Sequence, residues 1–153
     1  MNPNEESLSA PHILDYTYRR SLGAVLSKFF TGLRDRQLLG IKRKDGSVLF
    51  PPKEYDPDTA ESLDEMVPVD DTGVVKTWAW VPKPRRQQPL DKPFAYALIQ
   101  LDGADTPLLH AVDAGREDAM KTGMRVKVRW ADETIGSIKD IACFEPVSGG
   151  RHE

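Results

Sequence analysis

Five short apolar runs in the second half of the chain, "VVKTWAWV", "FAYALIQL", "TPLLHAV", "MRVKVRW" and "IGSIKDIACFEPV", limit most strongly what this polypeptide can become. Each is rich in β-branched and aromatic residues and is separated from the next by turn or breaker residues, which is the pattern of strands. Between the third and fourth lies "DAGREDAMKTG", which predicts a short helical turn with Asp113 as its cap and Gly123 as its stop. Five strands with a helix between the third and fourth is the order of an OB-fold, a small closed Greek-key barrel. In the fourth run Met124, Val126, Val128 and Trp130 alternate with Arg125, Lys127 and Arg129, so one face enters the barrel and the other meets solvent or a partner. The "PKPRRQQPLDKP" stretch between the first two runs carries Pro82, Pro84, Pro89 and Pro93 and reads as a stiff loop reaching outward.

The first half is organised differently. Apolar residues at Leu14, Tyr18, Leu22, Val25, Leu26, Phe29, Phe30 and Leu33 fall three or four apart, predicting an amphipathic helical segment over 14–36, with a break at Gly23. "LLGIK" and "SVLF" flank Lys44-Asp45-Gly46 and predict a hairpin. Residues 53–71 are acidic and turn-rich, but Asp56, Asp58, Glu61, Asp64 and Glu65 lack the glycine and the terminal glutamate spacing of a calcium loop. Residues 1–13 read as a flexible arm and 148–153 as a tail. The resulting division is 1–13 arm, 14–36 helical segment, 37–70 ribbon-like region, 71–147 OB-fold and 148–153 tail.

Composition narrows the chemistry. The 153 residues carry a formal net charge of -3, so nothing in the whole-chain charge draws it to polyanions. One cysteine, Cys143, excludes an internal disulfide and a zinc site built on thiolates of this chain, and points to a reducing cytoplasm. No run reaches the roughly 18 apolar residues of a membrane span, and "MNPNEESLSAPH" has neither the basic start nor the apolar centre of a signal peptide. The only imidazoles are His12, His110 and His152, and no Ser or Cys motif marks a nucleophile beside them, so the expectation is a chain that is not catalytic alone.

With "FFTGLRDRQLLGIK", then "GSVLFPP", and finally the "GMRVKV" strand, the sequence resembles the OB-fold family of domain of unknown function thirty-five. Members pair an N-terminal helix and a rubredoxin-like zinc ribbon with a C-terminal OB-fold. Aligned on Gly46 and Phe50-Pro51-Pro52, the family's four cysteines fall at Lys42, Asp45, Asp56 and Thr59, so the resemblance implies a degenerate ribbon without zinc. It also implies a noncatalytic accessory or scaffold subunit of a thiolase-superfamily partner, a thiolase or a lipid-transfer-type aldolase, in acyl-CoA metabolism that extends to steroid side-chain CoA esters. The expected assembly is a hetero-oligomer around a partner dimer. Tyr16, Tyr18, Arg19, Arg20, Phe29 and Phe30 are the interface candidates, because aromatics and arginine dominate binding hot spots. For a CoA ester at that interface, Arg85 and Arg86 suit the phosphates and Phe50 and Tyr55 suit the adenine. The alternative is a single-stranded nucleic-acid-binding OB-fold protein using Trp78, Trp80 and Tyr96 with the basic face of Arg125, Lys127 and Arg129.

Overall fold

The computed structural model describes residues 8–147. The expected arm and tail therefore lie partly or wholly outside the described residues, as does His152. The described residues are mainly β with one α-helix. Helix α1 (Gly23–Arg34) is followed by strands β1 (Leu38–Lys42), β2 (Val48–Leu49) and β3 (Met66–Val69). The barrel strands are β4 (Thr72–Val81), β5 (Phe94–Leu101), β6 (Leu108–Val112), β7 (Arg125–Trp130) and β8 (Ile141–Pro146).

The helix is shorter than the apolar spacing predicted. Val25, Phe29 and Leu33 form its buried stripe, but Leu14, Tyr18 and Leu22 stay exposed and residues 8–22 carry no helix. The boundary is Gly23, whose φ of +76° lies in the left-handed region that glycine tolerates and L side chains avoid. Twelve residues are marginal as an isolated helix. Packing of the stripe decides where helix exists, and among the described residues nothing covers those before Gly23.

β1 is the centre of a three-stranded antiparallel sheet in the order β2-β1-β3, with Ile41 opposite Leu49 and Leu38 opposite Val69. Asp45-Gly46 makes the predicted corner: Gly46 takes a φ of +88°, and Asp45 Oδ1 accepts from the Ser47 backbone N–H at 2.9 Å. Val25, Ile41, Leu49 and Leu63 close a small core between this sheet, the helix and the loop that leads to β3.

The other five strands form a closed barrel in the order β4-β5-β6-β8-β7, antiparallel except where β6 meets β8. This is the OB-fold. Alternation holds in β7, where Val126 and Val128 are buried and Arg125 and Lys127 exposed. The short helical turn between the third and fourth barrel strands is present as one 3₁₀ turn, Glu117–Ala119. Two details differ. Asp113 does not cap that turn; its carboxylate is buried and paired with Lys92 at 2.8 Å and Arg129 at 3.0 Å. The fifth run becomes strand only from Ile141, because Ser137 and Asp140 form a capping box around the 3₁₀ turn Ile138–Asp140.

Helix, ribbon and barrel share one core. Phe29, Leu33, Leu38 and Phe50 pack with Val75, Ile99, Leu101, Val126, Ile141 and Phe144. Polar ties reinforce it: Asp105 N–H donates to Val48 O at 2.8 Å, Phe50 N–H to Thr106 Oγ1 at 2.7 Å, and Thr134 Oγ1 to Arg34 O at 2.7 Å. The helix is thereby fixed against the β7–β8 loop and β2 against the β5–β6 loop.

Candidate partner and ligand surfaces

Two features face solvent without an evident internal role. The first is the stretch before α1. Ile13, Tyr16 and Tyr18 are 84%, 76% and 71% exposed, and the two tyrosine rings stack on each other at 5.9 Å, not on the body of the protein. Arg19 and Arg20 follow, also exposed. His12 sits in the same exposed stretch. A single exposed apolar residue needs no explanation, whereas here several are contiguous.

The six expected interface residues divide into two groups. Tyr16, Tyr18, Arg19 and Arg20 are on the surface, whereas Phe29 is 3% exposed and meets Phe50 edge-on at 5.8 Å. Phe30 is half-buried beside it, ring centroids 5.3 Å apart. Phe29 belongs to the core, because it lies on the same helical stripe as Val25 and Leu33.

The second feature is a groove of about 660 Å³ between the β4–β5 loop and the start of β8, lined by Arg86, Gln88, Leu90, His110, Ile138 and Lys139 among others. In OB-folds these loops flank the ligand-binding face. Leu90 roots the loop on the Phe94, Ala111 and Cys143 cluster. The tip is closed by Gln88, whose Oε1 accepts from Arg85 N–H at 2.8 Å while its own N–H donates to Arg85 O at 2.9 Å. Arg85 and Arg86 are held outward, and among the described residues neither has a carboxylate partner.

His110 sits at the groove wall with its ring edge-on to Phe144 at 5.6 Å. Burial pushes its pKa down, and Ala111 N–H donates to Nδ1 at 2.9 Å, which needs that nitrogen unprotonated, so the ring is neutral near pH 7. No serine, threonine or cysteine lines the groove with it. Cys143 is fully buried, and burial raises its thiol pKa, leaving a small inert hydrophobe.

The structure does not bring the four CoA candidates together. Arg86 lines the groove, whereas Arg85 lines a separate open depression that shares Arg86 and Gln87 with it. Phe50 is 1% exposed and offers no ring face to a ligand, since it fills the joint between ribbon and barrel. Tyr55 is exposed but lies in the ribbon, bridged to Ser62, and does not line the groove. His110 and Lys139, which the groove does recruit, carry no local sequence signal as partners of Arg86. They meet it only because the barrel closes.

The basic face of β7 is neutralised by its neighbours. Arg125 pairs with Asp102, Lys127 with Asp71 at 3.7 Å, and Arg129 with Asp113 at 3.0 Å and Glu145 at 3.6 Å. Trp78 and Trp80 are half-buried and pack against the barrel core. Among the described residues no group of three His, Cys, Asp or Glu side chains is placed to hold a metal ion, and no helix is long and apolar enough to cross a membrane.

Residues 66–131 match the family described as ChsH2, C-terminal OB-fold domain. The matched span runs from β3 through β7. Among solved structures, a chain of an "Ltp2-ChsH2(DUF35) aldolase" is similar at 20% identity and a TM-score of 0.60, covering 84% of this chain and 98% of that one. A DUF35-family protein of unknown function from Sulfolobus solfataricus is similar at 22% identity and a TM-score of 0.55, covering 69% and 78%. No curated protein matches the sequence. At these identities the likeness to DUF35 proteins is one of fold.

Proposed function

We propose that this chain is a noncatalytic accessory subunit that docks on, and completes, a thiolase-superfamily partner, a thiolase or lipid-transfer-type aldolase, in cytoplasmic acyl-CoA metabolism, steroid side-chain CoA esters included. The observation that carries the reading is the exposed apolar and aromatic stretch from Ile13 to Leu22, which the fold leaves uncovered. The similarity to the ChsH2(DUF35) chain of an aldolase spans nearly all of that chain and supports the same role. The groove supports contact with a CoA ester: Arg85 and Arg86 offer donors for phosphate oxygens, Lys139 adds a point charge, and Leu90 and Ile138 supply apolar walls. We assign no zinc to the ribbon and no catalytic residue to this chain. The nucleic-acid reading is the less favoured alternative, because the basic strand it needs is paired with Asp71, Asp102, Asp113 and Glu145.

Co-expression of the full chain with a thiolase-superfamily protein from its own host, followed by size-exclusion chromatography, tests the proposal. A stable complex is expected from the wild type, with a loss of about tenfold or more in affinity in a Tyr16→Ala, Tyr18→Ala double variant of unchanged stability. A complex indifferent to both tyrosines would remove the arm from the interface.

A further inference from the structure

The ribbon presents a mechanical problem. Residues 54–63 form a loop whose backbone hydrogen bonds close on themselves: Leu63 N–H to Glu54 O, Asp56 N–H to Glu61 O and Ala60 N–H to Asp56 O. None reaches the hairpin of residues 43–49 beside it. In a zinc ribbon the metal would join two such turns by drawing anionic ligands from both. Here the resemblance places the missing ligands at Lys42, Asp45, Asp56 and Thr59, and two of those four positions hold carboxylates.

Between the two turns lies the Arg43 guanidinium. Its Nε donates to Asp56 Oδ2 at 2.7 Å and its Nη2 to Asp56 Oδ1 at 2.9 Å, a two-pronged contact. Nη2 also donates to Asp58, and Nη1 lies 3.6 Å from Asp45 Oδ2. The carboxylates are themselves held. Asp56 Oδ1 accepts from the backbone N–H of Asp58 at 2.8 Å and of Thr59 at 3.3 Å, and Asp45 Oδ1 accepts from Ser47 N–H and Oγ at 2.9 and 2.6 Å. The Arg43 and Asp56 side chains are only 17% and 7% exposed, so solvent screens the pair much less than a surface ion pair. Lys44 and Glu61, 2.5 Å apart but open to water, add an outer tie.

We infer that Arg43 is the ribbon's cross-link: a fixed guanidinium charge, ringed by Asp45, Asp56 and Asp58, takes the position and the task of a metal ion. Arginine suits this role because it stays protonated and its planar fork matches a carboxylate edge to edge. The clamp has a reach beyond its own turns. The loop it holds contributes Leu63 to the core under Val25, and a side chain at Gly23 would run into the Glu54 carboxylate. The Arg43 cluster therefore braces the first turn of α1, where the exposed N-terminal stretch leaves the body. Nothing in this assignment depends on the identity of a partner or ligand.

Hydrogen–deuterium exchange on the full chain tests it, with elemental analysis of the same samples. In Arg43→Met, amides of residues 54–63 should exchange about tenfold or more faster, while those of β5 keep wild-type protection. Arg43→Lys, which keeps the charge but not the fork, should lie between. Purified wild type should contain no stoichiometric zinc and should show the same exchange with and without chelator. Wild-type exchange of residues 54–63 in Arg43→Met would overturn the inference, as would a chelator that speeds it. If Arg43→Met does not fold, Arg43→Lys decides alone: exchange in 54–63 equal to wild type refutes the cross-link.

Discussion

Replacing Phe29 by alanine should separate the core of this protein from its docking surface. The ring is almost fully buried and joins α1 to the ribbon through Phe50 and to the barrel through the shared cluster. Losing its transfer free energy costs about 1.5–3 kcal/mol. The edge-on pair with Phe50 and the tilted pair with Phe30 contribute roughly 0.5–1.5 kcal/mol each. Helix, sheet and barrel all line the site and none can move in alone, so a cavity remains and the total should be about 3–5 kcal/mol. For a chain of this size that lowers Tm by roughly 6–20 °C. Urea unfolding followed by tryptophan fluorescence should show a lower midpoint with an unchanged slope. Tyr16→Ala and Tyr18→Ala should stay within about 0.5 kcal/mol of wild type in the same assay. A loss under about 1 kcal/mol for Phe29→Ala would mean that α1 is not part of the core, and the reasoning would fail.

Three further outcomes are expected. Asp140 is buried and accepts from Ile135, Gly136 and Ser137 N–H at 3.1, 2.8 and 3.0 Å, so Asp140→Ala should cost about 2–3 kcal/mol in urea unfolding and expose the 135–137 loop to protease. Acid should loosen the ribbon. The Arg43 contact, helped by the N–H groups of Asp58 and Thr59, holds Asp56 at a pKa of about 2. A depressed folded-state pKa means that its stabilisation is complete above the ordinary carboxylate range and fades as pH falls from about 4 through 2. Exchange in residues 54–63 should rise across that window, and a flat profile would contradict it. Finally, an Arg85→Ala, Arg86→Ala variant should bind a CoA ester about tenfold or more weakly in the assembled complex, read by calorimetry, with the complex itself intact; equal affinity would take the groove out of ligand binding.

Much of this architecture was legible in the residue pattern, because it is encoded locally. Strict alternation in "MRVKVRW" fixes which face of β7 enters the barrel, Asp45-Gly46 fixes a corner, and five turn-bounded runs in order fix an OB-fold. The exposed Tyr16 and Tyr18 and the outward Arg85 and Arg86 were legible too, as an aromatic-basic stretch and a proline-stiffened loop. Pairings between distant residues were not. The three- and four-residue spacing runs unbroken from Leu14 to Leu33, yet only the part that finds Phe50 and Leu63 to pack on becomes helix. Arg125, Lys127 and Arg129 read as an open basic face until closure of the barrel sets Asp102, Asp71, Asp113 and Glu145 against them. The sequence by itself determined the kinds of elements and their order, since side-chain periodicity and turn chemistry act over a few residues. Which charges are neutralised, which aromatics are core, and which arginine holds the ribbon together were decided by tertiary structure, because burial and ion pairing depend on what the folded chain places within a few ångströms.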